Sequence, residues 1–404
     1  MCNVAVLRLQ RKIVPEQSKS YNYEALGRHY QSSSESYLIR KEAHSMFQRR
    51  IHRHSIFCIL PPYILHSIAQ NGTPQQRTQA LQTLGSDHTF RTMRVTHDLM
   101  TAVGRRLPAA APAAEGQPQR TIYNAHTTTN LPGETVRTEG AGPTGDLAED
   151  EAYNGLGDTY NFYWAVYQRN SIDDQGLPLN ATVHYDQKYD NAFWNGERMV
   201  FGDGDGDLFN RFTISVDVIG HELTHGVTGD EAKLVYLNQP GALNESISDV
   251  FGSLVKQFAL NQTADQADWL IGAGLFTAKV HGVALRSMKE PGTAFDDPVL
   301  GKDPQPATMQ NYVHTSDDNG GVHINSGIPN HAFALAAIKI GGNAWEKAGR
   351  IWYETLRDPR LRPTASFRTF ARLTVANADR LYGHSSPERQ AVRDAWREVG
   401  ITVS

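Results

Sequence analysis

The chain has 404 residues, with 39 Lys or Arg against 43 Asp or Glu and a formal net charge of −4. That length exceeds a typical single core and implies two or three domains, while 40% hydrophobic and 20% charged residues are ordinary values for a soluble globular protein. The slight acidity argues against a nucleic-acid partner, and no run of 18 or more apolar residues is present to span a membrane.

The charge is unevenly placed: residues 1–60 hold ten Lys or Arg and four Asp or Glu, a balance of +6 that leaves −10 for the rest. Residues 1–55 mix Ser, Tyr, Arg and His without helical or strand period and read as a poorly ordered extension, with Met46 as a candidate alternative start. The first residues lack the basic, apolar, small-residue order of a secretory signal. Cys2 and Cys58 both lie far upstream of the chemistry described below, so no disulfide framework is expected there.

Next comes Cys58-Ile-Leu-Pro-Pro-Tyr-Ile-Leu65. Pro61 and Pro62 restrict the backbone and predict an extended segment suited to lying in a groove, with Tyr63, Ile64 and Leu65 offering side chains to apolar pockets; the alternative is that the proline pair bounds a helix. Helical patterns follow over 75–84 and 90–103. From Arg105 to Gln119 a Pro/Ala stretch without apolar period reads as an exposed, cuttable linker. Thr121 to Asp207 is rich in Thr, Tyr, Asn and Gly with short alternating runs, which is strand and turn chemistry. After Phe212 the patterns turn helical. The expected organisation is an extension (1–55), a pro-segment with linker (56–112), a β-rich lobe (113–229) and an α-helical lobe (230–404).

The chemistry is concentrated between Asp217 and Asp249. His221 and His225 are four residues apart and share one helical face, where two imidazoles can hold one zinc ion; Glu222 then points beside the metal, as a base does. A catalytic zinc needs a third protein ligand, and Glu245, after 19 intervening residues that can end one helix and start another, is the candidate. Asp249, one turn further, is placed to take the N–H of a ligand histidine, and Asn244 is a second supporting residue. The Asp203, Asp205, Asp207 run is no EF-hand, since Leu208 and Ile214 stand where Gly and Glu are needed.

With these residues in view, the chain resembles the thermolysin family of zinc endopeptidases. Asn191-Ala-Phe-Trp194, Gly202-Asp-Gly-Asp-Gly206, Leu285-Arg-Ser-Met288 and Asp318-Asn-Gly-Gly-Val-His-Ile-Asn-Ser-Gly327 resemble further blocks of that family, in its order. The Pro-Pro block resembles the short precursor segment of the protealysin-type branch. The resemblance implies an α+β fold: a two-lobed catalytic unit with a β-rich N-terminal lobe, an α-helical C-terminal lobe and the zinc helix between them, preceded by a small helical pro-segment. It implies that Glu222 is general base and acid, that His323 and Tyr236 stabilise the oxyanion, and that Asp318 orients His323. Asn191, Ala192 and Trp194 match the substrate edge and Arg286 a carbonyl-binding group. Phe209, Phe212, Val218 and Leu285 match the pocket for the side chain after the scissile bond, which predicts cleavage before bulky apolar residues.

The implied partners are peptide and protein substrates and the chain's own pro-segment, in a monomeric, secreted enzyme; cytoplasmic synthesis with later release is the alternative. One departure stands out. Of the carboxylates that build the family's double calcium site this chain keeps Asp217 and Asp268, but Lys256, Leu270 and Ala273 occupy the other positions, so calcium is not expected there. A peptide-binding relic without turnover would show damage at one of these positions, and all are intact. A zinc aminopeptidase would need an acidic cluster beside Asn191-Ala192, and none is assigned there.

Overall fold

The computed structural model describes residues 57–101 and 114–403. The expected extension over 1–55, the candidate start at Met46 and most of the linker lie outside these residues. A six-stranded sheet holds strands β1 (Phe57–Cys58), β2 (Arg120–Asn124), β3 (Glu134–Thr138), β4 (Leu179–Val183), β5 (Ala192–Trp194) and β6 (Met199–Phe201) in the order β1-β5-β6-β4-β2-β3. β1 runs antiparallel to β5, with Phe57 opposite Trp194 and Cys58 opposite Phe193. The first strand among the described residues therefore lies at the edge of the sheet beside the short strand that borders the site.

The double proline does not extend as expected. Pro61 is extended (φ −64°, ψ 142°), but Pro62 opens helix α1 (Pro62–Asn71). Proline is well suited to a first helical position, where its missing N–H is not needed and its fixed φ is already helical. The extended piece is thus Phe57 to Pro61, and Tyr63, Ile64 and Leu65 lie on the helix, with Ile64 and Leu65 fully buried. The two expected helical patterns that follow are one helix, α2 (Pro74–Thr101).

A second difference lies between β3 and β4, where strands were expected and the 21-residue helix α3 (Leu147–Tyr167) stands. Asp146 caps it by accepting the N–H groups of Ala148 and Glu149. Its aromatic residues read locally as strand formers, yet Tyr163 and Tyr167 stack against Phe251 and Tyr353 in the core, so packing overrides propensity.

Helices α4 (Val216–Asp230) and α5 (Asn238–Ala259) form the centre of the molecule. They meet at two glycines. A Cβ on Gly252 would collide with the Asp217 carbonyl oxygen, and one on Gly220 would lie 3.1 Å from Gly252 Cα. Only bare backbone permits that approach. Beyond them lie α6 (Asp318–Asn325), α7 (Gly327–Ile340), α8 (Ala348–Leu356), α9 (Phe367–Tyr382) and α10 (Pro387–Glu398). The segment between α5 and α6 carries two-stranded pairs and a single 3-10 turn (Met309–Asn311) rather than α-helix, the pairs including β7 (Leu270–Ile271) with β8 (Arg286–Ser287).

Candidate active site

Helix α4 presents His221 and His225 one turn apart, and α5 presents Glu245 against them. The two Nε2 atoms are 3.1 Å apart, and each lies 3.5 Å from a carboxylate oxygen of Glu245. All three side chains are buried. Two facing imidazole nitrogens and a carboxylate, sealed from solvent, form the donor set of a zinc site, and a cation there would satisfy all three at once.

The far sides of both rings are fixed. His221 Nδ1 lies 2.8 Å from Asp249 Oδ1, and His225 Nδ1 lies 2.9 Å from Asn244 Oδ1 and 3.0 Å from Ser248 Oγ. Such contacts hold the Nδ1–H tautomer and leave Nε2 to a metal. Burial alone would suppress the charge on His221, but Asp249 and Glu245 outweigh it and push its pKa up to about 9; burial drives His225 down to about 3. Burial works against ionisation of Glu245 too, yet the surrounding histidines hold it well below the ordinary carboxylate range.

Glu222 stands beside this set on α4. Its Oε2 accepts the Trp194 N–H at 3.1 Å, its Oε1 has no hydrogen-bond partner among the described residues, and burial pushes its pKa up to about 8. Tyr236 reaches in from the loop before α5, its hydroxyl bonded to Glu245 and 3.2 Å from His323 Nε2. His323 is held from behind: Asp318 accepts its backbone N–H at 2.9 Å and faces its Nδ1 at 2.6 Å. Four successive residues with positive φ, Asp318 to Gly321, turn the chain back to make this possible. Asp, Asn and Gly are the residue types that tolerate that conformation.

The bordering strand β5 is occupied. Ile59 N–H donates to Ala192 O at 3.3 Å, and Leu60 N–H donates to Asn191 Oδ1 at 3.1 Å. Arg286 donates from Nη1 to Ile59 O at 3.1 Å, while its Nε and Nη2 grip Asp249. Phe57 to Leu60 therefore fills the position next to Glu222, with Pro61 ending it and Tyr63, Ile64 and Leu65 following on α1. Phe209, Phe212, Val218 and Leu285 are buried in one core cluster, with the Phe209 and Phe212 rings 5.9 Å apart.

Three residues of this constellation escaped the sequence reading. Ser248 had a signal, since it follows Asn244 by one helical turn. Asn330, whose Nδ2 donates to Asp249 Oδ2 at 2.8 Å, lies 81 residues away and had none. Asp87 of α2, which contacts Asn191, had none either.

A buried His-Glu-x-x-His helix, a glutamate from a second helix and a peptide edge alongside define a metallopeptidase. Comparison with known proteins agrees. Residues 75–229 match the model of the thermolysin metallopeptidase catalytic domain, residues 232–401 that of its alpha-helical domain, and residues 58–89 that of the protealysin propeptide. The chain is 55% identical over 348 residues to an "Extracellular metalloprotease" of Pectobacterium carotovorum subsp. carotovorum, covering 86% of this chain and 97% of that one. It is 49% identical over 349 residues to "Protease PrtS" of a Photorhabdus species, covering 85% and 92%. The solved precursor of protealysin from Serratia proteamaculans is similar with a TM-score of 0.77 and 53% identity, over 86% of this chain and all of that one. The chain belongs to the thermolysin family of metallopeptidases, in the branch with a protealysin-type propeptide.

Proposed function

We propose that this metallopeptidase is an endopeptidase that cuts on the amino side of bulky apolar residues and is made as a latent precursor. The observation that carries the reading is the hold on Ile59 and Leu60: three contacts, from Ala192, Asn191 and Arg286, grip an extended backbone beside Glu222 as a substrate strand would be gripped.

His221, His225 and Glu245 would hold zinc, which supplies a Lewis acid for a carbonyl and lowers the pKa of water to about 7. Glu222 takes the proton of the attacking water and returns it to the departing amine; its unpartnered Oε1 and anchored Oε2 suit an atom that receives and a body that stays. Tyr236 and His323 donate to the oxyanion, with Asp318 orienting the imidazole; each such donor contributes about 3 kcal/mol in the transition state. Phe209, Phe212, Val218 and Leu285 line the pocket for the side chain after the cut. Phe57 to Leu65 would block the cleft until the linker is cut.

Lys256 replaces calcium in this reading. Its ammonium lies 2.8 Å from Asp217, 2.9 Å from Asp268 and 2.6 Å from Leu270 O, which places a fixed positive charge among the oxygens a calcium ion would need. The relatives named extracellular favour secretion for this chain as well.

The test is Glu222→Ala against His225→Ala. The first loses casein hydrolysis but keeps its zinc; the second loses both. Appreciable turnover by Glu222→Ala overturns the mechanism, and cut sites before Asp, Glu or Lys in a peptide library overturn the specificity.

A further inference from the structure

Asp87 lies on α2, in the segment that matches the propeptide model, and its side chain is 3% exposed. Oδ1 accepts the Tyr189 hydroxyl at 2.5 Å and Oδ2 accepts Asn191 Nδ2 at 3.0 Å. Tyr189 and Asn191 belong to the peptidase lobe, and both are buried. The other end of the Asn191 amide, Oδ1, accepts Leu60 N–H at 3.1 Å and Ala192 N–H at 3.0 Å.

An amide has one donating and one accepting end. With Nδ2 held by Asp87, Oδ1 must face Leu60. The pro-segment thus contacts Asn191 twice, once through its strand and once through a helix 27 residues further along the chain. Elsewhere α2 docks through half-buried glutamine amides: Gln76 on Asp207 at 2.7 Å and Gln79 on Lys188 O at 2.8 Å, around a cavity of about 230 Å³. At Asp87, by contrast, the contacts are buried and both carboxyl oxygens accept, and hydrogen bonds to a carboxylate are stronger than neutral ones.

We propose that Asp87 is a positioning residue of latency: its carboxylate accepts from Tyr189 and Asn191, and by fixing the Asn191 amide it secures the Leu60 end of the blocking strand. The proposal rests on the reading that the pro-segment keeps the enzyme latent. Loss of α2 would free the amide to turn and so weaken the strand even where Phe57 to Leu60 is intact.

The experiment uses zinc-loaded, full-length protein carrying Glu222→Ala and measures the affinity of a fluorescent peptide hydroxamate before and after cutting in the linker and removing the pro-segment. Asp87→Ala should let the intact precursor bind the probe about tenfold more tightly, the loss expected for a charge-assisted bond. Asp87→Asn, which still offers an oxygen to Asn191 and can turn its NH2 to the Tyr189 oxygen, should stay within about threefold of the unsubstituted precursor. In an Asn191→Ala background, where only the Tyr189 bond remains to be lost, Asp87→Ala should have a clearly smaller effect, whereas a purely structural role in seating α2 would leave the effect undiminished. After removal of the pro-segment the Asp87 variants are the same protein and must bind alike. Unchanged probe affinity in Asp87→Ala overturns the proposal, as does an effect of undiminished size in Asn191→Ala or an equal one in Asp87→Asn. Equal affinity of cut and intact forms without any Asp87 change instead defeats the latency reading itself.

Discussion

Arg286 and Asp249 form a buried two-point pair, Nε to Oδ2 at 2.9 Å and Nη2 to Oδ1 at 2.8 Å, and each has one more task. Asp249 orients His221, and Arg286 holds the Ile59 carbonyl. The peptide-binding cation and the metal ligand therefore lean on one carboxylate. Arg286→Ala should raise KM and also weaken zinc binding about tenfold, because the freed carboxylate no longer holds the ring in place. Chelator competition measures this. Zinc affinity within twofold of the original would show that the two tasks are independent.

Gly252→Ala should separate α4 from α5. The added methyl meets the Asp217 carbonyl and lies about the sum of close contacts from His221 N, at 3.0 Å, and backbone cannot rotate aside as a side chain can. A loss of about 1–3 kcal/mol or more in stability is expected from such overpacking, together with reduced zinc content. Gly229→Ala, where nothing lies within 4 Å, is the matched control and should melt close to the original.

Lys256 is expected to make the fold indifferent to calcium. Melting curves with and without excess calcium should nearly coincide, whereas a rise of about ten degrees, the mark of an ion bound to the native state, would contradict the assignment. Lys256→Met leaves Asp217, which has no exposed surface, without its cation; about 3–5 kcal/mol of stability should be lost.

His184 gives the precursor a dependence on alkaline pH. Asp203 faces its Nδ1 at 2.9 Å and Asp146 its Nε2 at 3.2 Å; Asp203 first, against the cost of burial, pushes its pKa up to about 9 from 6.5. A raised folded pKa contributes stability that is complete below 6.5 and fades as pH rises through 9. The stability difference between the unsubstituted protein and His184→Gln, on the order of 1–2 kcal/mol for this partly exposed cluster, should shrink between pH 6.5 and 10. A difference that stays constant across that range would assign the contribution to packing instead of charge.

Legibility followed sequence distance. His221, Glu222 and His225 share one helix, and Glu245 and Asp249 share the next, so periodicity alone places five side chains. The reversal that carries His323 is written locally as Asp-Asn-Gly-Gly, residues suited to positive φ. Asn330 meets Asp249 and Asp87 meets Asn191 across 81 and 104 residues, and such meetings depend on how helices pack, which no local pattern encodes. Helix α3 was hidden because tyrosine and phenylalanine favour strands until a core collects them, and at α1 two readings stood side by side because a proline pair stiffens extended chain and begins helices equally well.

The brevity of β5 bears on solubility. If the pro-segment leaves as proposed, Ala192, Phe193 and Trp194 become a border of the sheet, and the Ala192 carbonyl loses the Ile59 N–H that it accepts in the precursor. Long exposed borders of this kind invite copies of a protein to stack into aggregates, and very short ones do not. A border of three residues gives a second copy of the sheet too short a ladder on which to grow.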